Sequence, residues 1–170
     1  FASGAAVVGA TPIEALAQAI ARHRVNALVI PPAILAQFVA GLPRDAVPFP
    51  SLGYVEVSGG RLTGRLARHA IERVSPHIHV LYGSTECGVV THSPWQEIAG
   101  RPGAAGRLMP GGVEVAVVDA NGAPLSRGSE GRLRFRGATC ASGYADGSGP
   151  KDPFRDGWFE SGDLGHVDPD

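Results

Sequence analysis

The stretch Ile78-His79-Val80-Leu81-Tyr82-Gly83-Ser84-Thr85-Glu86 joins an apolar run to a small, glycine-containing turn. Residues 78–82 have the length and composition of a buried strand, and Gly83-Ser84-Thr85 favours a sharp change of direction. The same order occurs upstream, where a strand predicted at residues 54–57 is followed by Ser58-Gly59-Gly60. This repetition predicts neighbouring strands whose carboxyl ends carry glycine turns.

Helical patterns alternate with the apolar runs in the first half of the chain. Thr11-Pro12-Ile13-Glu14 has the form of a capping box, with proline at the first helical position. The apolar spacing predicts two further strands and two further helices, at residues 5–9 and 27–30 and at residues 33–40 and 66–74. Such alternation is typical of parallel strands joined by right-handed crossovers.

The pattern changes after about residue 94, where glycine and proline become frequent and the helical spacing ends. A β-branched run at residues 113–119 and an alternating run at residues 132–136 predict strands, and Asn121-Gly122 and Asp156-Gly157 predict turns. The predicted fold is therefore α/β. A parallel-sheet segment with flanking helices is expected in residues 1–98, and a small, antiparallel, β-rich and barrel-like subdomain in residues 99–170.

The composition limits the classes of function. The chain has 170 residues, of which 44% are apolar and 18% charged, with a formal net charge of −1. This is typical of a globular protein and unlike the basic surfaces that bind nucleic acid. No apolar run is long enough for a membrane span. A cytoplasmic location is expected, and Cys87 and Cys140 are expected to be reduced thiols.

The residues around the second glycine turn favour a nucleotide and a metal ion. Ligands bind at the carboxyl ends of the strands in open parallel sheets. The aromatic ring of Tyr82 suits a nucleobase, the hydroxyls of Ser84 and Thr85 suit a phosphate, and the carboxylate of Glu86 suits Mg²⁺. The alternative is a purely structural turn and helix cap, with Tyr82 in the core.

Five motifs of this sequence resemble motifs of the adenylate-forming superfamily, which includes acyl- and aryl-CoA synthetases. They occur along the chain in the same order as in that family. The stretch Tyr82-Gly83-Ser84-Thr85-Glu86 is similar to its Y-G-x-T-E motif. The other motifs are Ser58-Gly59-Gly60, Gly103-Ala104-Ala105-Gly106-Arg107, Glu130-Gly131-Arg132-Leu133 with Arg136-Gly137 and Gly143-Tyr144, and Gly157-Trp158-Phe159-Glu160-Ser161-Gly162-Asp163-Leu164-Gly165. Any one of them alone is a weak signal, but their common order makes the set specific.

The resemblance implies a role for each matching position. Tyr82 is expected to stack on adenine, whose other face lies against the backbone of Gly59-Gly60-Arg61. Thr85 is expected to contact the α-phosphate as a catalytic residue, Glu86 to hold Mg²⁺ as the second catalytic residue, and Asp163 to accept bonds from the ribose hydroxyls. The remaining expected nucleotide contacts are Ser58, Leu81, Gly83 and Ser84.

The implied reaction joins a carboxylic acid to ATP and then transfers the acyl group to a thiol, usually that of coenzyme A. The expected ligands are ATP or AMP, Mg²⁺, coenzyme A and a small acyl or aryl acid. The family's lysine-bearing phosphate loop and C-terminal lid have no counterpart in this sequence and are expected before Phe1 and after Asp170. The single lysine, Lys151, matches neither. The isolated chain is therefore expected to be inactive.

Several features have a second interpretation. His77 and His79 share one strand face and suggest a metal site, although no third ligand follows at a suitable spacing. Cys87 is either a nucleophile or a small residue packed behind the turn. Three arginines at 132, 134 and 136 form either a solvated face or a docking surface. The rival to the enzyme is a non-catalytic remnant that binds adenine nucleotide weakly or serves as an interaction module.

Overall fold

The computed structural model of the chain describes residues 5–9, 12–145 and 153–169. Its contacts group the chain into two compact units. The first unit comprises residues 1–82 and 92–107, and the second comprises residues 83–91 and 108–170. The sequence-based division between residues 98 and 99 follows chain order, whereas these units are groupings in space, and that division stays a prediction.

A five-stranded sheet has the order β1-β2-β3-β4-β5 and contains the strands predicted near residues 27–30, 54–57 and 78–82. Strand β1 pairs with β2 and β2 with β3, both in parallel. The parallel sheet predicted from the sequence is therefore confirmed. The strands are β1 (Ala27–Ile30), β2 (Tyr54–Val57), β3 (Ile78–Ser84), β4 (Gly88–Pro94) and β5 (Arg107–Leu108).

The helices predicted at residues 33–40 and 66–74 are present, and each begins one or two residues before the predicted range. Pro32 occupies the first turn of its helix, and the Thr63 hydroxyl caps the next one by accepting a bond from the Leu66 amide at 3.3 Å. Thr11, the predicted cap of the first helix, lies outside the described residues. A short 3₁₀ turn (Ile13–Ala15) precedes α1 (Leu16–His23), and α2 (Pro32–Gly41), α3 (Gly64–Arg73) and α4 (Trp95–Ile98) follow. None of the helices in the described ranges has the length and hydropathy to cross a bilayer.

The core of the first unit lies on one face of β2 and β3. Val55, Val57 and Ile78 are completely buried there, together with Ile20 of α1 and Leu35 of α2. Alternate residues of the same strands point to the opposite face, because side chains alternate along a strand. That opposite face carries polar and aromatic side chains.

The second sheet is antiparallel, with the order β6-β7-β9-β8. Its core contains Phe135 and Phe159, which are 1% and 5% exposed. Asp156 and Gly157 have φ angles of 52° and 77°, the positive values that a tight two-residue hairpin requires. The predicted β-rich part is confirmed, with strands β6 (Glu114–Val118), β7 (Gly131–Arg136), β8 (Phe154–Arg155) and β9 (Trp158–Gly165).

The prediction and the structure differ at three strands. Residues 5–9 form no strand. Val7 and Val8 are 70% and 40% exposed, so this apolar run is not stabilised by burial in a core. Strand β3 continues through Gly83 and Ser84, which were predicted as turn. Strand β4 was not predicted, because glycine and proline stand at its two ends and weaken the strand pattern.

Replacing Gly131 by alanine is expected to destabilise the second sheet. A Cβ atom at this position would lie 2.5 Å from the Val118 carbonyl oxygen and 2.8 Å from Leu125 Cδ1. Such overpacking costs about 1–3 kcal/mol, so the midpoint of thermal unfolding should fall. The control is Gly143→Ala in the same unit, where no atom lies within 4 Å of the added carbon. Equal midpoints for the two variants in calorimetry would contradict this packing.

Candidate functional site

The first group of predicted site residues lies at one end of the parallel pair β2 and β3. Val57 and Val80 are register partners, so the residues that follow them lie side by side toward the carboxyl ends of the two strands. Ser58-Gly59-Gly60-Arg61 follows β2, and Leu81 and Tyr82 continue along β3. The structure therefore brings these predicted residues together within the first unit.

The turn after β2 has an open backbone. Gly59 has a φ of 76°, a value that residues with a side chain rarely adopt, and no atom lies within 4 Å of the Cβ position at this residue. Gly59, Gly60 and Arg61 are exposed, whereas Tyr82 is half-buried. A flat ligand can thus approach the backbone of this turn without meeting a side chain from the glycines.

The second group, residues 83–86, belongs to the second unit. The chain turns at residues 85–87 rather than at 83–85, and it enters β4 without an intervening helix. The Ser84 hydroxyl accepts a bond from the Cys87 amide at 3.2 Å and so closes the turn. A Cβ atom at Gly83 would collide with the Gly88 carbonyl, because the chain approaches itself closely at this point. The predicted helix cap is therefore wrong, whereas a tight turn is present.

Glu86 is held in its ionised form. The Tyr144 hydroxyl donates a hydrogen bond to Glu86 Oε1 at 2.8 Å. This bond is the main reason why the pKa of Glu86 lies below its usual value, and bonds from its own backbone and from Ser84 lower the pKa further. At neutral pH the turn therefore presents a carboxylate, which is the ligand type that Mg²⁺ prefers.

Residues 137–145, here called the strap, fasten this turn from the side. The Thr139 hydroxyl donates to the Cys87 carbonyl at 2.9 Å, and the Ala141 amide donates to the Glu86 carbonyl at 2.6 Å. Cys140 forms a disulfide with Cys87. Sequence reasoning assigned no role to these residues, because the strap contacts the turn across more than 50 residues of chain.

Asp163 lies on β9 in the second unit and is exposed. Its backbone amide donates to the Ser161 hydroxyl at 3.1 Å, and the Ser161 hydroxyl donates to the Leu133 carbonyl of β7 at 3.4 Å. These bonds fix the backbone around Asp163.

The predicted residues therefore fall into two sets. Ser58 to Arg61, Leu81 and Tyr82 belong to the first unit, and Gly83 to Glu86 and Asp163 belong to the second. Each set has the geometry described above within its own unit. A single nucleotide site that uses both sets stays a prediction.

Residues 1–145 match the family model described as AMP-binding enzyme. The chain belongs to the AMP-binding enzyme family. It is 29% identical to indoleacetate–CoA ligase of Aromatoleum aromaticum, over 91% of this chain and 30% of that protein. It is 30% identical to salicyl-AMP ligase/salicyl-S-ArCP synthetase of Mycobacterium tuberculosis, over 95% of this chain and 30% of that protein.

The fold is also found in a solved structure. The o-succinylbenzoate CoA synthetase of Bacillus subtilis, in complex with ATP and magnesium ion, superposes with a TM-score of 0.74 at 20% identity. The match covers 92% of this chain and 32% of that one. This chain thus spans about a third of the length of the proteins it matches.

The two cysteines of this AMP-binding family chain form a disulfide between Cys87 and Cys140, so the expected reduced thiols are not found. Cys87 is completely buried behind the turn, as the packing interpretation predicted. Because its sulfur is bonded, it presents no thiolate, and the nucleophile interpretation loses its support. Disulfides are typical of oxidising compartments, whereas the cytoplasmic location stays a prediction from the sequence.

The metal interpretation of the histidine pair is not supported by the structure. No group of three His, Cys, Asp or Glu residues suited to a metal ion occurs among the residues that the structure describes. His79 instead stacks on Tyr54 and His92, with ring centroids 4.5 and 5.1 Å away. The Tyr54 hydroxyl donates to Glu56 Oε2 at 3.0 Å and lies 3.1 Å from His92 Nε2. Burial and then Glu56 raise the pKa of Tyr54 to about 12.

The three arginines of β7 are paired with carboxylates. Arg132 and Arg134 both bond Glu160 of β9, at 2.8 and 3.0 Å, and Arg136 bonds Glu114 of β6 at 2.6 Å. The carboxylate of Glu160 thus joins two arginines of the neighbouring strand. The pairing favours a structural face over a docking surface.

Acidification is expected to destabilise the first unit through His79. Burial, and then the charges of His92 and His77, lower its pKa from the ordinary 6.5, while Glu56 opposes this shift. The unfolded chain therefore binds a proton near pH 6.5, before the folded chain does. Stability should be complete above this pH and should fall as the pH drops from 6.5 to the lowered pKa of the folded state.

The measurement is the midpoint of thermal unfolding at pH values from about 7.5 to 5.5. His79→Gln should lose less stability across this range than the wild type. His69→Gln, which replaces an exposed residue of α3, should behave like the wild type. Parallel curves for the wild type and His79→Gln would contradict the assignment.

Proposed function

We propose that this chain is the adenine-, ribose- and metal-binding part of an AMP-forming acid–thiol ligase. The parent reaction activates a carboxylic acid with ATP to an acyl-adenylate and transfers the acyl group to the thiol of coenzyme A. The observation that carries the proposal is the ionised Glu86 carboxylate, held by Tyr144 at 2.8 Å on the turn after β3. This turn contains the Y-G-x-T-E motif of the family.

The nucleotide roles follow from the chemistry of each residue. The open backbone of Gly59-Gly60-Arg61 and the ring of Tyr82, at one end of the parallel pair, suit the two faces of adenine. The Thr85 hydroxyl suits the α-phosphate. The carboxylate of Asp163, an exposed residue on a backbone fixed by Ser161, suits the two hydroxyls of a ribose. Ser58, Leu81, Gly83 and Ser84 complete the proposed set.

The residues around Glu86 fit Mg²⁺. One carboxylate is sufficient, because Mg²⁺ takes one or two carboxylates and completes its shell with water and phosphate oxygens. When bound, the ion would neutralise charge that develops on the phosphates. Glu86 would hold it, and Ser84 and Tyr144 would hold the Glu86 side chain. The o-succinylbenzoate CoA synthetase that shares this fold was solved in complex with ATP and magnesium ion, which supports Mg²⁺ as the proposed ion.

The acid and the thiol are proposed from the relatives. Indoleacetate–CoA ligase and salicyl-AMP ligase both take aromatic acids by their names, and we propose a small acyl or aryl acid here. Coenzyme A is the proposed acceptor. An acyl-carrier protein is the second candidate, because the salicyl relative is also named as a synthetase of a carrier-bound product.

Asp163→Ala is expected to weaken the binding of AMP at least tenfold, since a site built for hydroxyl donors loses its acceptor. Isothermal titration calorimetry of the 170-residue chain with AMP measures this change. Asp168→Ala removes a carboxylate five positions away that is half-exposed and pairs with His166, and it should bind AMP like the wild type. Equal affinity of all three proteins would refute the ribose assignment.

The isolated chain is proposed to be a poor catalyst. Its single lysine, Lys151, matches neither lysine-bearing motif of the family, and loss of such charge stabilisation lowers rates by orders of magnitude. Release of pyrophosphate from ATP should therefore stay at background with a panel of aryl and acyl acids. Robust acid-dependent release would contradict this proposal. Absence of both AMP binding and release would favour the non-catalytic interaction module.

A further inference from the structure

Tyr144 connects the strap to the Glu86 side chain. Its hydroxyl donates to Glu86 Oε1 at 2.8 Å. Its ring lies edge-on against Phe154, with centroids 5.4 Å apart, and Phe154 in turn packs on Phe159, with centroids 5.1 Å apart. Phe159 is 5% exposed and belongs to the core of the second unit. These aromatic contacts thus connect Tyr144, whose hydroxyl bonds Glu86, to the core of the second unit.

The other links between the strap and the turn act on the backbone. The Ala141 amide bonds the Glu86 carbonyl and the Thr139 hydroxyl bonds the Cys87 carbonyl. These bonds fix the path of the main chain but leave the rotations of the Glu86 side chain free. A glutamate side chain loses considerable freedom when it is held in one rotamer. The bond from Tyr144 is the link from the strap that restricts the carboxylate itself.

We propose that Tyr144 is a positioning residue that orients the Glu86 carboxylate for Mg²⁺ and so raises the affinity of the site for the ion. The inference rests on the proposed function, in which Glu86 is the metal ligand. Tyr144 acts through Glu86, because a phenol hydroxyl that donates to a carboxylate directs one oxygen and leaves the other lone pairs of the carboxylate for further partners. Hydrogen-bond partners of metal ligands typically contribute a factor of about 10 to 100 in metal affinity.

The experiment measures Mn²⁺ binding to the 170-residue chain in the presence of saturating AMP, which supplies phosphate oxygens to the ion, at constant pH, by the electron paramagnetic resonance signal of the free ion. Glu86→Gln should abolish the specific part of the binding. Tyr144→Phe keeps the ring against Phe154 and removes only the hydroxyl, and it should weaken binding about tenfold. The matched control is Tyr54→Phe, which removes another tyrosine–glutamate bond, that to Glu56, and it should bind like the wild type.

The outcomes distinguish the hypothesis that Glu86 binds the metal from the hypothesis that Tyr144 positions Glu86. If Glu86→Gln binds Mn²⁺ like the wild type, the metal assignment fails and the positioning role fails with it. If Glu86→Gln loses binding while Tyr144→Phe retains it or binds more tightly, only the positioning role is overturned. If Tyr54→Phe loses as much affinity as Tyr144→Phe, the effect is a general one and the positioning role is also overturned.

A second variant covers the case in which Tyr144→Phe does not fold, as judged by circular dichroism. Phe154→Leu keeps the Tyr144 hydroxyl but removes the ring that supports it. It should weaken Mn²⁺ binding by less than the factor of about ten expected for loss of the hydroxyl. Wild-type affinity in a folded Phe154→Leu protein would overturn the role of the aromatic anchor.

Discussion

The parallel pairing of β2 with β3 is the constraint on which the first unit depends. Its register places Val57 beside Val80, and the apolar side chains on one face are removed from water by α1, α2 and α3. Burial of such surface contributes about 25 cal/mol per Å². Because a slip of one residue would expose this whole apolar face, the register is strongly specified. The turn at residues 58–61 therefore lies beside Leu81 and Tyr82, which continue along β3.

Two glutamate residues connect distant segments of the second unit. Glu160 joins Arg132 and Arg134 across the β7–β9 pair, with its side chain 25% exposed. Glu86 accepts bonds from the Tyr144 hydroxyl and, through its carbonyl, from the Ala141 amide. Charge-assisted bonds are stronger than neutral ones, and partial exposure limits the cost of desolvation. Both carboxylates thus link segments that lie far apart along the chain.

Short sequence patterns predicted helix starts and turns correctly where the underlying preference acts within a few residues. Pro32 begins a helix and Asp156-Gly157 forms the expected turn, since the φ preferences of proline and of turn residues act within a few residues. Residues 5–9 have the apolar composition of a strand but form none, because composition does not supply a pairing partner. Strand β4 has a weak local pattern and was not predicted. It forms because it pairs with its neighbours β3 and β5 in the sheet.

The sequence by itself determined the family, the alternation of strands and helices, and the chemical types at the turns, because these depend on residue identity and on spacing along the chain. Only the tertiary structure decided the partners of those residues. It showed that Tyr144 holds Glu86, that Cys140 pairs with Cys87 and that His79 contacts the rings of Tyr54 and His92. Such contacts join residues 13 to 58 positions apart, and no periodicity or motif specifies which distant side chains the fold brings within bonding distance.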